Sequence, residues 1–370
     1  MCFYLICLAG FSYGLGADKF TYMDEFEDYP SDFSEIGEYI FIGLMYKGQM
    51  PLWTIVNLLC KAIFNSFYAV QLLESAAINI TVCYLVSKYT HRYFLFLLIY
   101  FFSLQYFIFN TEVMREGFAM AFVLWGIHGW MSGKRWLYFV TLPIGLLFHV
   151  SALIVLLFPF AKFKISWRTL YIAFALTFAF WILSDQLLAR VLALVFGGEG
   201  AFVKKIMYYS LQASSFFGYA RYVLTYLVFP FIIMYSVLLI EPSDEQREYK
   251  EKMIAFMVIL AIPASSVVGL MRFYNYVQIF YLIMLADFVY MLFRYKQHFI
   301  IRLGTLTGTS LLIIIFLYLT HYKTTDTYFY DYFYPYTCIL DEDKDVYIRE
   351  IAHQEAVTVE IEDNNVRDID

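Results

Sequence analysis

The sequence has little charge for its length. Of its 370 residues, 61% are hydrophobic and only 16% are charged. A soluble domain carries charge on about a quarter of its residues, so the composition argues against an ordinary soluble protein. The net charge of −6 says little about partners, because the acidic residues concentrate in the C-terminal tail. We expect no nucleic-acid partner.

The sequence also lacks the short motifs of common soluble enzymes. It contains no GxGxxG, Walker A, HExxH or GxSxG segment, which argues against nucleotide-driven transport and soluble hydrolase chemistry. The cysteines show neither CxxC nor metal-ligand spacing, so they support neither a disulfide framework nor a zinc site. They are Cys2, Cys7, Cys60, Cys83 and Cys338. We expect no metal and no cofactor.

Long apolar runs fill most of the chain. Each run is ended by a charged residue or a turn signal, which indicates an all-α, polytopic integral membrane protein with about nine membrane-spanning helices. We expect one membrane domain over residues 1–337, with external loops at 16–66 and 185–219. Residues 338–370 are acidic and weakly patterned, which predicts a disordered tail.

The segment Trp136–Ala161 is apolar and has basic residues at both ends, with Lys134 and Arg135 before it and Lys162 after it. Basic residues favour the cytoplasmic side, so a single crossing would place one of these groups outside. A hairpin of two short helices that breaks near His149 keeps both groups inside. Each arm would be roughly 18 Å long, short of the ~30 Å membrane core. This predicts a re-entrant hairpin with His149 at its tip, facing a cavity.

Arg115 lies at a very short connection between two apolar runs, together with the carboxylates of Glu112 and Glu116. Ionisable groups at membrane depth are expensive and are kept mostly where they function. Each residue also has a simpler interpretation. Arg115 could extend from a helix end to the lipid headgroups, and His149 could be a hydrogen-bonded core histidine.

The expected topology places three arginines at external helix ends: Arg115, Arg221 and Arg272. Because guanidinium groups keep their charge and match diphosphate geometry, the three together predict an anion site. Glu74 lies inside the first full span and needs a partner or a proton there. We expect it to pair with one of these arginines. Amphipathic helices are expected in the first external loop, at Ile36–Met45 and Leu52–Phe64.

Five elements, in chain order, resemble the EpsG-type branch of the Wzy-like bacterial polysaccharide polymerases. They are Tyr13–Asp18 with Tyr22 and Phe26, then Asn110–Arg115, Leu147–Ala152, Arg272–Tyr276 and Tyr334–Tyr336. They correspond to the family's Arg-x-x-x-Gly-x-Asp-x-x-x-Tyr, Asn-x-x-Arg-Gln, Ala-x-x-x-His-x-Ser-Ala, Arg-Phe/Tyr-x-x-Tyr and Pro-Tyr elements. The match runs through most of residues 10–337.

The resemblance implies a metal-independent glycosyltransferase at the external face of the bacterial inner membrane. It would join repeat units carried on undecaprenyl diphosphate in capsule, exopolysaccharide or O-antigen synthesis. Its partners would be the lipid-linked oligosaccharide, membrane lipid, and a chain-length regulator or flippase of the same pathway. His149 and Arg115 are the catalytic candidates, as base and diphosphate ligand. The substrate-binding candidates are Arg272, Arg221, Asp18, Tyr22, Tyr274, Tyr276 and Glu112.

Two other functions fit a membrane protein with these residues. A flippase or transporter of the lipid-linked glycan also needs cations, but along a path that reaches both faces, whereas the candidates here gather near one face. A membrane acyltransferase that modifies surface glycans also uses a buried histidine with arginines. It would need a route for a cytoplasmic acyl donor, which the sequence neither shows nor excludes.

Overall fold

The computed structural model describes most of the chain. The described residues are 2–16, 18–31, 35–45, 48–103, 105–196, 216–240, 244–294, 333 and 336–341. The apolar run at 303–320, which is one of the nine expected spans, and the tail beyond residue 341 therefore lie outside the described residues.

The described part of the chain is helical and contains no β-strand, which confirms the predicted all-α class. The α-helices are α1 (Cys2–Gly10), α2 (Lys19–Glu27), α3 (Ile36–Met45), α4 (Pro51–Phe64), α5 (Phe67–Tyr89), α6 (Tyr93–Phe102), α7 (Gln105–Phe107), α8 (Met114–Met131), α9 (Arg135–Phe148), α10 (Trp167–Phe196), α11 (Phe216–Val223), α12 (Phe229–Ile240), α13 (Asp244–Ala264) and α14 (Asn275–Arg294). Two π-helical turns (Ile108–Glu112, Leu224–Val228) and two 3-10 helices (Val150–Phe160, Val268–Tyr274) connect them.

Three helical stretches are long and apolar enough to cross a membrane: Phe67–Tyr89, Phe216–Leu239 and Leu270–Arg294. A fourth candidate is the pair Tyr93–Phe101 and Gln105–Glu112, which is bent by 80° at the break. These stretches support a membrane protein. The predicted number of nine spans is not confirmed. Within the described residues, several further apolar helical stretches are shorter: Ile36–Met45, Pro51–Phe64, Arg135–Phe148, Val150–Phe160 and Trp167–Leu183.

Helix α8 holds the centre of the fold and packs against α5 and α9. Glycines let α8 and α9 approach closely. A Cβ at Gly126 would lie 2.5 Å from Oγ1 of Thr141, and one at Gly145 would lie 2.7 Å from Cγ2 of Val123. Small residues serve this purpose in membrane helix packing. The close approach fixes the first arm of the predicted hairpin against α8.

The helices on either side of His149 fold back on each other. His149 has an extended backbone and separates α9 from the 3-10 helix Val150–Phe160. If these helices were collinear, Tyr138 and Val155 would lie roughly 28 Å apart. Instead, the Tyr138 hydroxyl donates a hydrogen bond of 2.8 Å to the Val155 carbonyl. The break that the sequence predicts at His149 is therefore present, and the position of this hairpin in the membrane stays a prediction.

Both ends of the hairpin lie at the same end of the molecule. The ring of Trp130 has Cζ of Arg135 at 5.3 Å from its centroid and Nζ of Lys252 at 5.5 Å. The same Nζ lies 5.1 Å from the ring centroid of Phe158. Arg135 begins the first arm and Phe158 lies near the end of the second. Lys252 thus joins the two ends, as expected if both face one side of the membrane.

The predicted external loop 16–66 is mostly helical and packs against the N-terminal end of α5, at Phe67. Helix α3 has the predicted bounds, and α4 begins one residue earlier than predicted, at Pro51. The ring of Phe26 contacts that of Phe67, with 5.8 Å between centroids, which fixes α2 to α5. Helix α10 continues to Phe196, so the first residues of the second predicted loop are helical, and the external position of that loop stays a prediction.

The segment 336–341, where the predicted tail begins, is hydrogen-bonded to the N-terminal region. The Tyr13 amide donates to the Thr337 carbonyl at 2.9 Å, and the Ile339 amide donates to the Phe11 carbonyl at 2.9 Å. The Thr337 hydroxyl donates to the Tyr13 carbonyl at 2.6 Å. Residues 338–341 of the predicted tail are therefore ordered against the loop that leads to Asp18. The division of the chain at residue 337 stays a prediction.

Candidate functional site

His149 lies at the turn of the hairpin and caps the helix that follows it. Its Nδ1 accepts a hydrogen bond of 3.3 Å from the Ser151 amide, one of the amides left without a partner at a helix start. The Ser151 hydroxyl oxygen lies 2.5 Å from the same nitrogen. Since Nδ1 accepts from a backbone N–H, a neutral imidazole carries its proton on Nε2.

Ser151 connects His149 to two other elements. Its hydroxyl donates to Oε1 of Glu116 at 3.4 Å and lies 2.8 Å from the hydroxyl oxygen of Tyr276. Glu116 belongs to the first turn of α8 and also interacts with Arg272 and Asn275. We call His149, Ser151, Glu116, Arg272 and Tyr276 the histidine cluster. It brings together the hairpin tip, α8 and the Arg272–Tyr276 turn, which are separate in sequence.

Arg115 faces away from this cluster, towards α2. Cζ of its guanidinium lies 5.4 Å from the ring centroid of Tyr22, and the charges of Asp18 and Glu25 act on it. Burial raises the pKa of Tyr22 to about 12, although Arg115 acts in the opposite direction. Tyr22 therefore stays a neutral hydroxyl at physiological pH. We call Arg115, Tyr22, Asp18 and Glu25 the arginine cluster.

A row of aromatic rings joins the two clusters. The ring of Trp53 lies 5.4 Å from that of Tyr22 and 6.4 Å from that of Phe118, measured between centroids. Phe118 stacks on Phe148 at 4.7 Å, with 8° between the ring planes. Phe148 precedes His149 directly, and Arg115 precedes Glu116 directly. The two clusters are therefore neighbours around the first turn of α8, on different sides of it.

The remaining predicted site residues lie around these clusters. Arg221 is exposed and its charge acts on the Tyr226 hydroxyl. The Tyr226 ring lies 5.0 Å from that of Tyr274, which is buried. Glu112 ends the π-helical turn before Arg115 and is partly buried. The structure thus places Arg272 and Tyr276 with His149 and places Asp18 and Tyr22 with Arg115. Arg221 is in neither cluster and is related to Tyr274 only through Tyr226.

Glu74 does not interact with an arginine as predicted. The cation whose charge acts on it is Lys19, and both side chains are fully buried. Burial lowers the pKa of Lys19 to about 7, and Glu74 acts in the opposite direction. The Lys19 ammonium lies 3.4 Å from Sδ of Met114. A Cβ at Gly117 would lie 2.2 Å from Oε1 of Glu74, so only glycine leaves room for this carboxylate.

Sequence reasoning missed Glu116, Ser151 and Lys19 as members of the site. Glu116 and Ser151 stand next to residues that were singled out, at spacings that put them on the same helix turn. The only signal for Lys19 was the carboxylate of Glu74, which requires a buried cation. Among the residues that the structure describes, no group of three or more histidine, cysteine, aspartate or glutamate side chains could hold a metal ion.

Comparison with known proteins gives one match. No curated protein and no solved structure matches the chain. The model of the EpsG family matches residues 1–338, which include both clusters and the first part of the segment that contacts the N-terminal region. The chain therefore belongs to the EpsG family, a polysaccharide polymerase-type family of membrane proteins with a role in polysaccharide biosynthesis.

Proposed function

We propose that this protein is a polymerase of lipid-linked oligosaccharide repeat units. It would transfer a growing glycan from undecaprenyl diphosphate to a hydroxyl of the next repeat unit, at the external face of the bacterial inner membrane. The observation that carries the proposal is the histidine cluster, in which Ser151 contacts both its neighbour His149 and the distant Tyr276, beside Arg272.

The leaving group of the donor is a diphosphate, on which negative charge develops as the glycosidic bond breaks. Guanidinium groups that are already in place stabilise this charge without reorganisation, and their paired donors match phosphate oxygens. Arg272 and Arg115 are held near the same helix turn, by Glu116 on one side and by Tyr22 on the other. We assign both arginines to the diphosphate of the lipid-linked substrate, with Arg272 on the side of the histidine cluster and Arg115 on the side of the arginine cluster.

The acceptor hydroxyl must lose a proton as it attacks the anomeric carbon. Because Nε2 of a neutral His149 carries the ring proton, the nitrogen that can receive a proton is Nδ1. The Ser151 oxygen lies 2.5 Å from that nitrogen. Ser151 would turn its hydroxyl proton from Glu116 to Nδ1, and would take the proton of the acceptor as it passes its own to that nitrogen. The new C–O bond forms, the bond to the diphosphate breaks, and the diphosphate leaves with the electron pair.

The charge distribution favours an external site. Lys88, Arg135 and Lys252 lie near the ends of α5, α8 and the hairpin that are remote from His149. Basic residues of membrane proteins favour the cytoplasmic side, so the histidine cluster would face outward. Lipid-linked repeat units would reach it there after a flippase has moved them across. A chain-length regulator of the same pathway is the protein partner that we expect.

The test is deletion of the gene in its host, followed by analysis of glycan chain length and acylation. We expect single repeat units in place of polymer, with long chains restored by the wild-type gene but not by His149→Gln. Polymer of normal length that lacks acyl groups would indicate an acyltransferase. Repeat units held on the cytoplasmic side would indicate a flippase. Either result would remove the polymerase assignment.

A further inference from the structure

A group of cations at the end of the molecule remote from His149 takes no part in the proposed chemistry. Nζ of Lys252 lies between two rings, 5.5 Å from the centroid of Trp130 and 5.1 Å from that of Phe158. Cζ of Arg135 lies over the same Trp130 ring at 5.3 Å. Lys162 follows the second arm of the hairpin, and its charge also acts on Lys252. We call Arg135, Lys162 and Lys252 the basic cluster.

The positive charge of this cluster is only partly compensated. Burial lowers the pKa of the Lys252 ammonium, and the charges of Lys162 and Arg135 lower it further. Among the described residues, the charges that act on Lys252 are those of Lys162, Arg135 and the carboxylate of Glu248, so three cations face one acid in this part of the chain. Arg135 and Lys162 are exposed. The cluster therefore repels itself in the free protein and presents accessible donors to an added anion.

The surface beside these cations is strongly apolar. Trp136 and Phe139 on the first arm of the hairpin are 64% exposed, and Phe160 on the second arm is 75% exposed. Trp136 follows Arg135 directly, and Phe160 is two residues before Lys162. In a membrane protein such a surface meets acyl chains, and aromatic rings favour the level of the headgroups. A ligand that fits both features has an anionic head and long apolar chains.

We propose that the basic cluster binds the phosphodiester headgroup of an anionic phospholipid, whose acyl chains lie along the exposed aromatic side chains of the hairpin. Basic pockets between helices on the cytoplasmic side bind such headgroups. The phosphate would offset the repulsion among Arg135, Lys162 and Lys252, which come from both arms and from α13. The lipid would thereby hold the two ends of the hairpin together.

The full-length protein is placed in nanodiscs of phosphatidylcholine, alone or mixed with phosphatidylglycerol, and its thermal unfolding and bound lipid are measured. We expect phosphatidylglycerol to raise the unfolding temperature and to remain bound in native mass spectrometry. Arg135→Gln and Lys252→Gln should each weaken this binding about 10–100-fold, the contribution of a charge-assisted hydrogen bond to the phosphate. Arg135→Lys should retain most of it, which guards against a variant that merely misfolds.

Lys88→Gln is the matched control, because Lys88 also lies over an aromatic ring at this end, with Nζ 5.6 Å from the centroid of Tyr84. We expect it to leave phosphatidylglycerol binding unchanged. An equal loss in Lys88→Gln would mean that only the general charge of this face attracts the lipid, and the site would be wrong. Equal stabilisation by inorganic phosphate in phosphatidylcholine nanodiscs would identify a free anion as the ligand and would also overturn the proposal.

Discussion

The hydroxyl oxygen of Ser151 lies 2.8 Å from that of Tyr276, although 125 residues separate them in the chain. This contact closes the histidine cluster, because Ser151 belongs to the hairpin that carries His149 and Tyr276 belongs to the turn that carries Arg272. The relationship between these two segments cannot be seen in either motif alone. It brings the motifs Leu147–Ala152 and Arg272–Tyr276 to one location, so that their roles can be tested together.

The first prediction concerns the sidedness of the hairpin. We expect single cysteines in place of Lys134 and Lys162 both to face the cytoplasm, because Lys252 joins the two ends of the hairpin. Both should therefore be labelled only after the cells are permeabilised. Membrane-impermeant maleimide applied before and after permeabilisation measures this. A cysteine at Lys88 provides the cytoplasmic reference. External labelling of one position and internal labelling of the other would mean a single crossing.

The second prediction concerns the guanidinium of Arg115. We expect Arg115→Lys to lower the polymerisation rate about 10–100-fold, because a charge-assisted hydrogen bond contributes about 1.5–3 kcal/mol and an ammonium cannot form the paired contacts. Arg92→Lys is the matched control, since Arg92 also lies over a tyrosine, with Cζ 3.4 Å from the ring centroid of Tyr290. Similar losses in both variants, or none in Arg115→Lys, would count against a diphosphate ligand.

The third prediction concerns the buried pair of Lys19 and Glu74. The charge of each side chain opposes the effect of burial on the other. Removal of one therefore leaves the other buried without that opposing charge, whereas removal of both can be nearly neutral. We expect Lys19→Met and Glu74→Gln each to lower the unfolding temperature more than the double variant does. Additive losses in the double variant would show that the two side chains act independently.

Gly117→Ala extends this prediction, since its Cβ would lie 2.2 Å from Oε1 of Glu74. We expect it to lower the unfolding temperature in the wild type and also in the Glu74→Gln, Lys19→Met background, because glutamine keeps the shape of Glu74 and the Phe109 carbonyl oxygen would still lie 2.6 Å from the Cβ. Gly37→Ala is the control, because no atom lies within 4 Å of a Cβ at that position. Equal effects of the two alanines on the unfolding temperature would argue against a steric role of Gly117.

The fourth prediction separates the ordered segment from the acidic tail. Truncation after Asp341 should leave polymer length near normal, because the Asp341 carboxylate still accepts from the Cys338 amide at 2.6 Å. Truncation after residue 335 removes the hydrogen bonds to Phe11 and Tyr13 and should reduce both protein abundance and polymer length. Loss of polymer in the longer, normally abundant variant would contradict this.

Much of this site could be expected from the sequence, since the broad elements depend on local patterns. The apolar runs predicted helices, and the paired basic groups around Trp136–Ala161 predicted a break near His149, which the structure contains. Helix α3 was predicted with its observed bounds because Pro51 separates it from the next helix. Local signals of this kind do not require knowledge of the neighbours of a residue.

Pairings between distant residues were harder to foresee. The Glu74 carboxylate called for a cation, but charge alone could not choose between the external arginines and Lys19, which enters from α2. Glu116 joined His149 rather than Arg115 because successive helix positions point in directions about 100° apart. The helical structure at the start of the predicted loop 185–219 was also not foreseen, since the polar residues after Ser184 do not end a helix by themselves.

The central claim is that His149 receives the proton of the acceptor through Ser151, and one assay tests it most directly. Polymerisation of a lipid-linked repeat unit by purified protein is compared for wild type, His149→Gln, Ser151→Ala and His128→Gln. His128 is the matched histidine, because its Nδ1 lies 2.8 Å from the Tyr89 hydroxyl at the opposite end of α8.

We expect His149→Gln to slow transfer by about 10²–10⁴-fold, the usual contribution of general acid–base catalysis, with the repeat unit still bound. Ser151→Ala should also slow transfer, and His128→Gln should keep most of the wild-type rate. Near wild-type turnover by well-folded His149→Gln would contradict the account and leave His149 a structural residue at the tip of the hairpin.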